Sequence, residues 1–254
     1  MARHPLRTIL IRVGYAALGA VYVTLGLLAF LIAFDGGQVR ARGFGAAFRL
    51  LLQHPQGPTI LVGIAGGLVA FTVARFMQAA DGGRGAFSRL ISFVDAIGHA
   101  VMGWLALRLL LHRRRIGPRP ALAWLLSQSW GQRTLAIAGA IVMVIGAVQV
   151  WQGLSGRLPQ RLPRGGKLKS ATSVAVRVGR FGYAVRGIVS GIIGWFLIRT
   201  ARDLDPRAYR DIGGALEVIE NMRFGVPLLA LAGAGLVAYG GYLLLLGLFQ
   251  PKVQ

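Results

Sequence analysis

Six apolar segments, each long enough to cross a lipid bilayer, constrain the fold of this chain more than any other feature. A transmembrane helix needs about 20 mostly apolar residues to cross a hydrocarbon core about 30 Å thick, whereas strands are much shorter. The segments lie at 11–34, 58–79, 90–111, 134–154, 181–201 and 225–249. The sequence therefore predicts an all-α, polytopic membrane protein with six transmembrane helices, and a soluble core is the weaker alternative.

The composition supports a membrane location and narrows the classes of function. Of the 254 residues, 55% are hydrophobic and 37 are Gly. Small residues let membrane helices approach each other closely. The net charge of +21 is carried by loops on both sides of the predicted spans, so we interpret it as contact with anionic lipid headgroups and expect no nucleic-acid partner. The chain has no Cys, which excludes disulfides and thiolate chemistry.

A repeated phrase groups the six spans into pairs. The phrase Arg-x-Gly-Tyr-Ala-x-x-Gly begins at Arg12 and again at Arg180, and residues 12–78 and 180–246 align without a gap at 18 identical positions of 67. A more divergent middle copy places Arg89 on Arg180. Shared apolar composition explains identical Arg, Tyr, Asp and loop Gly residues poorly. The sequence therefore predicts three tandem units of two spans each.

The three units form a single membrane domain over residues 1–254. They cover approximately 12–79, 89–154 and 180–249, and a polar linker occupies 155–179. In each unit the two spans are joined by a polar loop with a short amphipathic segment, which we expect to lie along the membrane surface. These segments are Gly45–His54, Arg119–Ser129 and Gly213–Met222.

The pattern of the units resembles a known bacterial family. The third unit opens with the phrase from Arg180 to Gly187, and Gly214-Ala215-Leu216 and Phe224-Gly225 join its two spans. Three tandem units of this kind resemble the bacterial integral-membrane family called domain of unknown function 1206, over about 12–249. The middle unit departs from the pattern, with Ile91-Ser92-Phe93 in place of Gly-Tyr-Ala. The resemblance implies a six-span membrane protein and carries over no catalytic residue.

The distribution of basic residues predicts the orientation. Because each unit has two spans, all unit starts and ends share one side of the membrane. Lys and Arg divide almost equally between the two sides, but all three lysines and the linker at 155–179 favour the side of the termini as the cytoplasmic one. We predict a multi-pass protein of the bacterial inner membrane with both termini in the cytoplasm. The cluster Arg113–Arg115 favours the reverse orientation.

Charged residues inside the spans identify a candidate site, because a charge at the bilayer centre costs about 2.5–3.5 kcal/mol on insertion scales. In the repeat register, Asp95 and Arg186 occupy the same position as Leu18. The equivalent positions one turn deeper hold Tyr22, His99 and Ser190. We predict that Asp95 and Arg186 form a buried ion pair beside a polar space that these three residues line. A proton- or solute-binding site and a purely structural pair, with Arg186 reaching toward the headgroups, both remain open.

We interpret the repeated phrase as the segment that anchors the start of each unit at the membrane surface and packs its first span against other helices. The residues expected to hold the unit starts at the headgroups are Arg12, Arg89 and Arg180, and those expected at the membrane interface are Tyr15 and Tyr183. The glycines expected at close helix contacts are Gly14, Gly19, Gly182 and Gly187, with the pairs Gly63/Gly67 and Gly187/Gly191. Arg75, near the end of the second span, is expected to reach the headgroups.

The sequence contains no constellation typical of catalysis or metal binding. Its four His residues are scattered without clustered carboxylates, and it has neither a Ser/His/Asp arrangement nor a phosphate loop. We expect no enzyme activity, no metal and no cofactor. Two functions stay open. One is a structural or interaction protein of the envelope that contacts a membrane protein or a lipid, and the other is a small-solute or proton-coupled transporter with a site between units. The sequence leaves the oligomeric state open.

Overall fold

A computed structural model describes residues 5–34, 48, 52–80, 85–112, 119–158 and 169–249. Within these ranges the regular structure is helical. The α-helices are α1 (Pro5–Phe34), α2 (Gly57–Ala80), α3 (Ala86–His112), α4 (Arg119–Leu126), α5 (Gly131–Ser155), α6 (Lys169–Asp203), α7 (Ile212–Glu220) and α8 (Gly225–Phe249). A single 3₁₀ turn, Pro206–Ala208, lies between α6 and α7.

Six of these helices are long and apolar enough to cross a membrane, namely α1, α2, α3, α5, α6 and α8. The predicted all-α architecture with six transmembrane helices is confirmed. The largest difference in a boundary is at α6, which begins at Lys169 and not near 181, so the second part of the predicted linker is helical. The helix α1 also begins earlier than predicted, at Pro5 and not at 11. Residues 169–178 contain neither Gly nor Pro, and nothing in them interrupts a helix that continues into the span.

Two short helices connect the spans of the second and third units. The helix α4 joins α3 to α5, and α7 joins α6 to α8. The side chain of Asp211 caps α7 by accepting a hydrogen bond of 3.0 Å from the backbone N–H of Gly214, and α7 buries Leu216 and Ile219. The position of these helices along the membrane surface stays a prediction. The segment Gly45–His54 lies largely outside the described residues.

The spans form a ring in which each unit packs against the next. Unit 1 consists of α1 and α2, unit 2 of α3 and α5, and unit 3 of α6 and α8. The most extensive contacts join α2 to α3, α5 to α6, and α8 to α1. Each of these contacts brings the second span of one unit against the first span of the following unit, and the third unit closes on the first. The fold therefore has approximate threefold symmetry.

Glycine pairs build two of the three contacts between units. A Cβ atom added to Gly19 of α1 would lie 2.7 Å from the carbonyl oxygen of Gly240 of α8. A Cβ atom added to Gly187 of α6 would lie 2.7 Å from the carbonyl oxygen of Gly146 of α5. These pairs are equivalent in the repeat register, as are the pairs Gly26–Gly233 and Gly194–Gly139 one further step along. The backbones of these helices touch directly, which only residues without a side chain allow.

A second set of glycines closes the hairpin within units 1 and 3. Gly14 of α1 lies against Phe71 of α2, and at the equivalent positions Gly182 of α6 lies against Tyr239 of α8. In unit 2 the position of Gly14 is taken by Ile91. Among the described residues, α3 and α5 are not a pair of helices that packs substantially. The ring is therefore open between the two spans of unit 2.

Candidate functional site

The carboxylate of Asp95 lies between two guanidinium groups from other helices. Its Oδ1 is 3.3 Å from Nη2 of Arg186 in α6, and its Oδ2 is 3.6 Å from Nη2 of Arg75 in α2. The approach of Asp95 and Arg186 was predicted from the repeat register. Arg75 was expected to reach the headgroups, and that prediction is wrong, because the close packing of α2 on α3 brings its side chain to Asp95. The ion cluster, defined as Arg75, Asp95 and Arg186, joins all three units.

Two tyrosines complete the surroundings of Arg186. Its Nε donates a hydrogen bond of 3.1 Å to the hydroxyl of Tyr22 in α1. Its guanidinium carbon lies 5.2 Å from the ring centre of Tyr239 in α8, within the range of a cation–π interaction. Arg186 is only 9% exposed. The side chain is therefore held inside the bundle and does not reach out toward the headgroups.

The cluster has an energetic consequence for the assembly of the ring. Each charge would be costly alone in a bilayer. The single carboxylate compensates part of the charge of the two guanidinium groups, and the hydroxyl of Tyr22 accepts a further hydrogen bond from Arg186. Since Asp95 of unit 2 contacts Arg75 of unit 1 and Arg186 of unit 3, its carboxylate is fully paired only when all three units are in place. The ion cluster therefore favours the assembled ring over partly separated helices.

His99 lies one turn from Asp95 on the same helix. Its Nδ1 forms a hydrogen bond with the backbone carbonyl of Asp95, and its ring packs edge-on against Phe71 with the ring centres 4.7 Å apart. The residue is 2% exposed. Its Nε2 is buried and has no hydrogen-bond partner among the described residues. This atom is thus a buried polar group whose partner the described protein does not supply.

The other residues predicted for the site and for the repeated phrase are placed as follows. Leu18 is buried, whereas Ser190 is half-buried and takes no part in the ion cluster. The depth of Tyr15 and Tyr183 in the membrane stays a prediction, but neither side chain faces outward from the bundle. Both are buried, because Tyr15 packs against Phe71 and Tyr183 packs against Tyr239 inside the bundle.

The arginines that open the units bind the ends of neighbouring helices. In α6, Arg180 donates hydrogen bonds of 3.0 and 2.6 Å to the carbonyls of Gly153 and Leu154 in the last turn of α5. At the equivalent position in α3, Arg89 donates one of 2.8 Å to the carbonyl of Ala79 in the last turn of α2. Carbonyls at helix ends lack partners within the helix, and cations are favourable there. These two arginines therefore join consecutive units, a role that the prediction of headgroup contact missed.

The contact between α2 and α3 contains a cavity of about 520 Å³, here called the α2–α3 groove. The buried residues at its floor are Ala65, Thr72, His99 and Gly103. The exposed residues along its rim include Val62, Val69, Val73, Trp104 and Leu107. Because the rim faces outward from the ring, the groove opens toward the lipid side of the bundle.

The α2–α3 groove arises from side chains where the other contacts have glycines. In the repeat register, Thr72 replaces Gly240 and Ala96 replaces Gly187. A Cβ atom added to Gly103 would find its nearest neighbour at 3.5 Å, an ordinary van der Waals distance. The helices are thus held apart by small side chains. Sequence reasoning did not find this groove, although the loss of the glycine pair was visible in the register.

Comparison with known proteins gives the same division of the chain. The model of the family described as Domain of Unknown Function (DUF1206) matches three times, at 13–82, 92–156 and 181–250. The chain is similar to a protein of Bacillus subtilis (strain 168) described as "Uncharacterized protein YxxB", with 29% identity over 248 residues that cover 94% of this chain and 90% of the relative. No solved structure matches the chain.

Proposed function

The chain belongs to the DUF1206 family, and we propose that it is a lipid-interacting membrane protein that holds the apolar part of a membrane lipid in the α2–α3 groove. The observation that carries this proposal is the groove itself, an apolar cavity of about 520 Å³ between two spans. A void of that size in contact with hydrocarbon fills with whatever apolar chain can enter it. Lipid is the most abundant molecule of that kind around a membrane helix.

The rim of the groove supports lipid as the occupant. Val62, Val69 and Leu107 are exposed on the outer surface of two spanning helices, where they face acyl chains. The lining runs along α2 from Val62 to Val73, which corresponds to about 16 Å of helix rise, roughly half the thickness of the hydrocarbon core. An acyl or isoprenoid chain fits a slot of this shape better than a compact polar solute does.

Transport of a small solute or a proton is the second candidate. The observation that favours it is the ion cluster, because ionisable groups between repeats often form binding sites in transporters. Two features support it less. The cluster already pairs its carboxylate with two guanidinium groups, and the six described spans are continuous helices, whereas transporter sites are typically built on interrupted ones. Lipid interaction is therefore the better-supported function.

The orientation that goes with this proposal has both termini in the cytoplasm of a bacterial cell and the spans in the inner membrane. The lysines and the basic linker at 155–179 support it through the positive-inside rule. A reporter that is active only in the periplasm, fused after Gln254, should give no signal. Activity of that reporter would reverse the orientation.

Two glycines of α2 provide a matched test of lipid retention. A Cβ atom added to Gly66 or to Gly63 meets nothing within 4 Å, so a Phe at either position should fold, but only Gly66 lines the groove. Native mass spectrometry of the detergent-purified protein should find one retained lipid on the wild type and on Gly63→Phe. Gly66→Phe should lose that lipid. Equal retention by the two variants would overturn the proposal.

A further inference from the structure

The polar part of the groove wall specifies the kind of lipid. Resting on the proposed function, we propose that the ligand of the α2–α3 groove is an uncharged lipid with a hydroxyl group, which donates a hydrogen bond to Nε2 of His99. Long-chain, isoprenoid and glycerol-based lipid alcohols all belong to this class. Two polar side chains of the lining, His99 and Thr72, and the charges around them define this class of ligand.

The hydrogen bond of His99 determines which ring nitrogen carries the proton. A backbone carbonyl can only accept a hydrogen bond, so Nδ1, which contacts the carbonyl of Asp95, must be the protonated nitrogen. In the neutral ring, Nε2 then has a lone pair and acts as an acceptor. A doubly protonated ring would add a third cation to a site where one carboxylate already serves Arg75 and Arg186. The neutral ring with Nε2 as acceptor is therefore the form that fits this site.

This acceptor belongs to His99, a residue that lines the groove, and the atom itself is buried. Among the described residues that line the groove, His99 alone has a buried side-chain nitrogen or oxygen without a hydrogen-bond partner. A buried acceptor without a donor has lost the hydrogen bonds that it would make in water, and this loss costs free energy. A ligand that brings a donor to the acceptor recovers part of that free energy on binding. The wall thus offers binding energy to a molecule with a donor at this depth and none to a pure hydrocarbon.

Thr72 is the second side chain of the lining that can accept a hydrogen bond from a ligand. Its hydroxyl donates a hydrogen bond of 2.8 Å to the carbonyl of Leu68 one turn earlier, so only its lone pairs are left to face the groove. The two buried polar side chains of the lining therefore both present acceptors, and the indole N–H of Trp104, a donor, belongs to the exposed rim. A carboxylate or phosphate would meet no donor from His99 or Thr72, and an ammonium group would have to be desolvated in an apolar slot. A hydroxyl group meets the requirement without carrying charge.

The geometry also gives the ligand a direction. His99 lies seven positions after the start of the spanning segment at Ser92, about 10 Å of helix rise into the membrane. From that level the groove extends along α2 toward Val62 and along α3 toward Leu110, away from the ion cluster. The hydroxyl group would therefore lie at the level of His99, with the apolar chain directed toward the opposite side of the bilayer.

A pair of brominated probes tests the inference. Trp104 lines the groove, so a variant with the other four Trp residues changed to Phe reports binding through quenching by bromine. In nanodiscs, 11-bromo-1-undecanol should quench Trp104 saturably and bind about fivefold more tightly than 11-bromoundecyl methyl ether, which accepts but cannot donate. His99→Phe should bind the two probes equally. His54→Phe, an exposed position outside the groove, should keep the preference.

The outcomes separate this inference from the function on which it rests. If neither probe quenches saturably, the groove does not hold an apolar chain and the proposed function fails as well. If both probes bind equally to the wild type, lipid binding stands and the hydroxyl inference fails. A preference that persists in His99→Phe would show that another group is the acceptor. Where His99→Phe does not fold, equal binding of the two probes by the wild type still overturns the hydroxyl inference.

Discussion

The contact between α5 and α6 and the contact between α2 and α3 occupy equivalent places in the ring, yet one is closed and the other holds a groove. At the closed contact, a Cβ atom added to Gly146 would lie 2.6 Å from the carbonyl oxygen of Gly187. At the open contact the equivalent residues are Thr72 and Ala96. Direct backbone contact thus requires glycine on both helices, and a side chain on each is enough to leave room for another molecule.

The two contacts are also held together by different forces. The α5–α6 contact depends on packing of backbone against backbone, which stabilises membrane helices through many small dispersion contacts. The α2–α3 contact has looser packing but contains the ion pair of Arg75 and Asp95, whereas an arginine bound to a helix end is common to both contacts. The ring can therefore keep an open contact without losing its order, because charge replaces part of the missing packing there.

The largest effect is expected from removing the charge at the open contact. Asp95→Asn keeps the shape of the side chain but leaves Arg75 and Arg186 without their carboxylate, and breaking a buried ion pair costs about 3–5 kcal/mol. Thermal unfolding in detergent, followed by circular dichroism, should show a large drop in Tm. Asp203→Asn is the control, since its partners Arg199 and Arg202 are exposed, and it should change Tm little. Equal Tm values for the two variants would mean that the cluster does not stabilise the ring.

A smaller loss is expected from a side chain placed in the closed contact. Gly187→Leu inserts atoms where the backbone of α5 already touches α6, and overpacking costs typically about 1–3 kcal/mol. Gly191→Leu, one turn away on the same helix, is the matched control because its Cβ atom would meet nothing within 4 Å. In the same unfolding measurement, the Tm of Gly187→Leu should be lower than the Tm of Gly191→Leu. The reverse order would show that the closed contact can adjust to a side chain.

The smallest effect is expected from the arginines that bind helix ends. Arg180→Met removes hydrogen bonds to two carbonyls at the closed contact, and Arg89→Met removes a hydrogen bond to one carbonyl at the open contact. A favourable cation at a helix C-terminus contributes about 0.3–1 kcal/mol at exposed positions. Arg180→Met should therefore lower Tm slightly more than Arg89→Met does. An effect as large as that of Asp95→Asn would assign these arginines a greater role than helix-end binding.

Much of the fold and part of the site could be predicted from the sequence, because repeats share a register. Asp95, Arg186 and Leu18 stand at one position of three equivalent units, and residues at one such position meet near the common axis when the units form a ring. For that reason the approach of Asp95 to Arg186 needed no knowledge of helix angles. The six spans followed in the same way from apolar length alone.

The features that were missed depend on distances between helices, which no register supplies. The span of Arg75, considered alone, predicts a side chain that reaches the headgroups, but Arg75 pairs with Asp95 of the next unit. Gly63 and Gly191 have the spacing of packing glycines, yet a Cβ atom added to either meets nothing within 4 Å. The backbone of Gly191 borders Gly146 of α5, but its Cβ position faces open space. The groove itself is a separation between two helices, and only its cause, the absence of a glycine pair, is written in the sequence.

The packing of α8 on α1 shows that two units can become neighbours without a direct connection along the chain. The α5–α6 contact joins units that follow each other in the chain, and the α8–α1 contact joins the last unit to the first, yet both use the same glycine positions. The chain connects α5 to α6 directly, whereas no such connection joins α8 to α1, and the equivalent contact forms in both places. A circular permutation would move that connection from one contact to the other. The surfaces of the helices thus specify which units become neighbours at these two contacts, whether or not the chain connects the units directly.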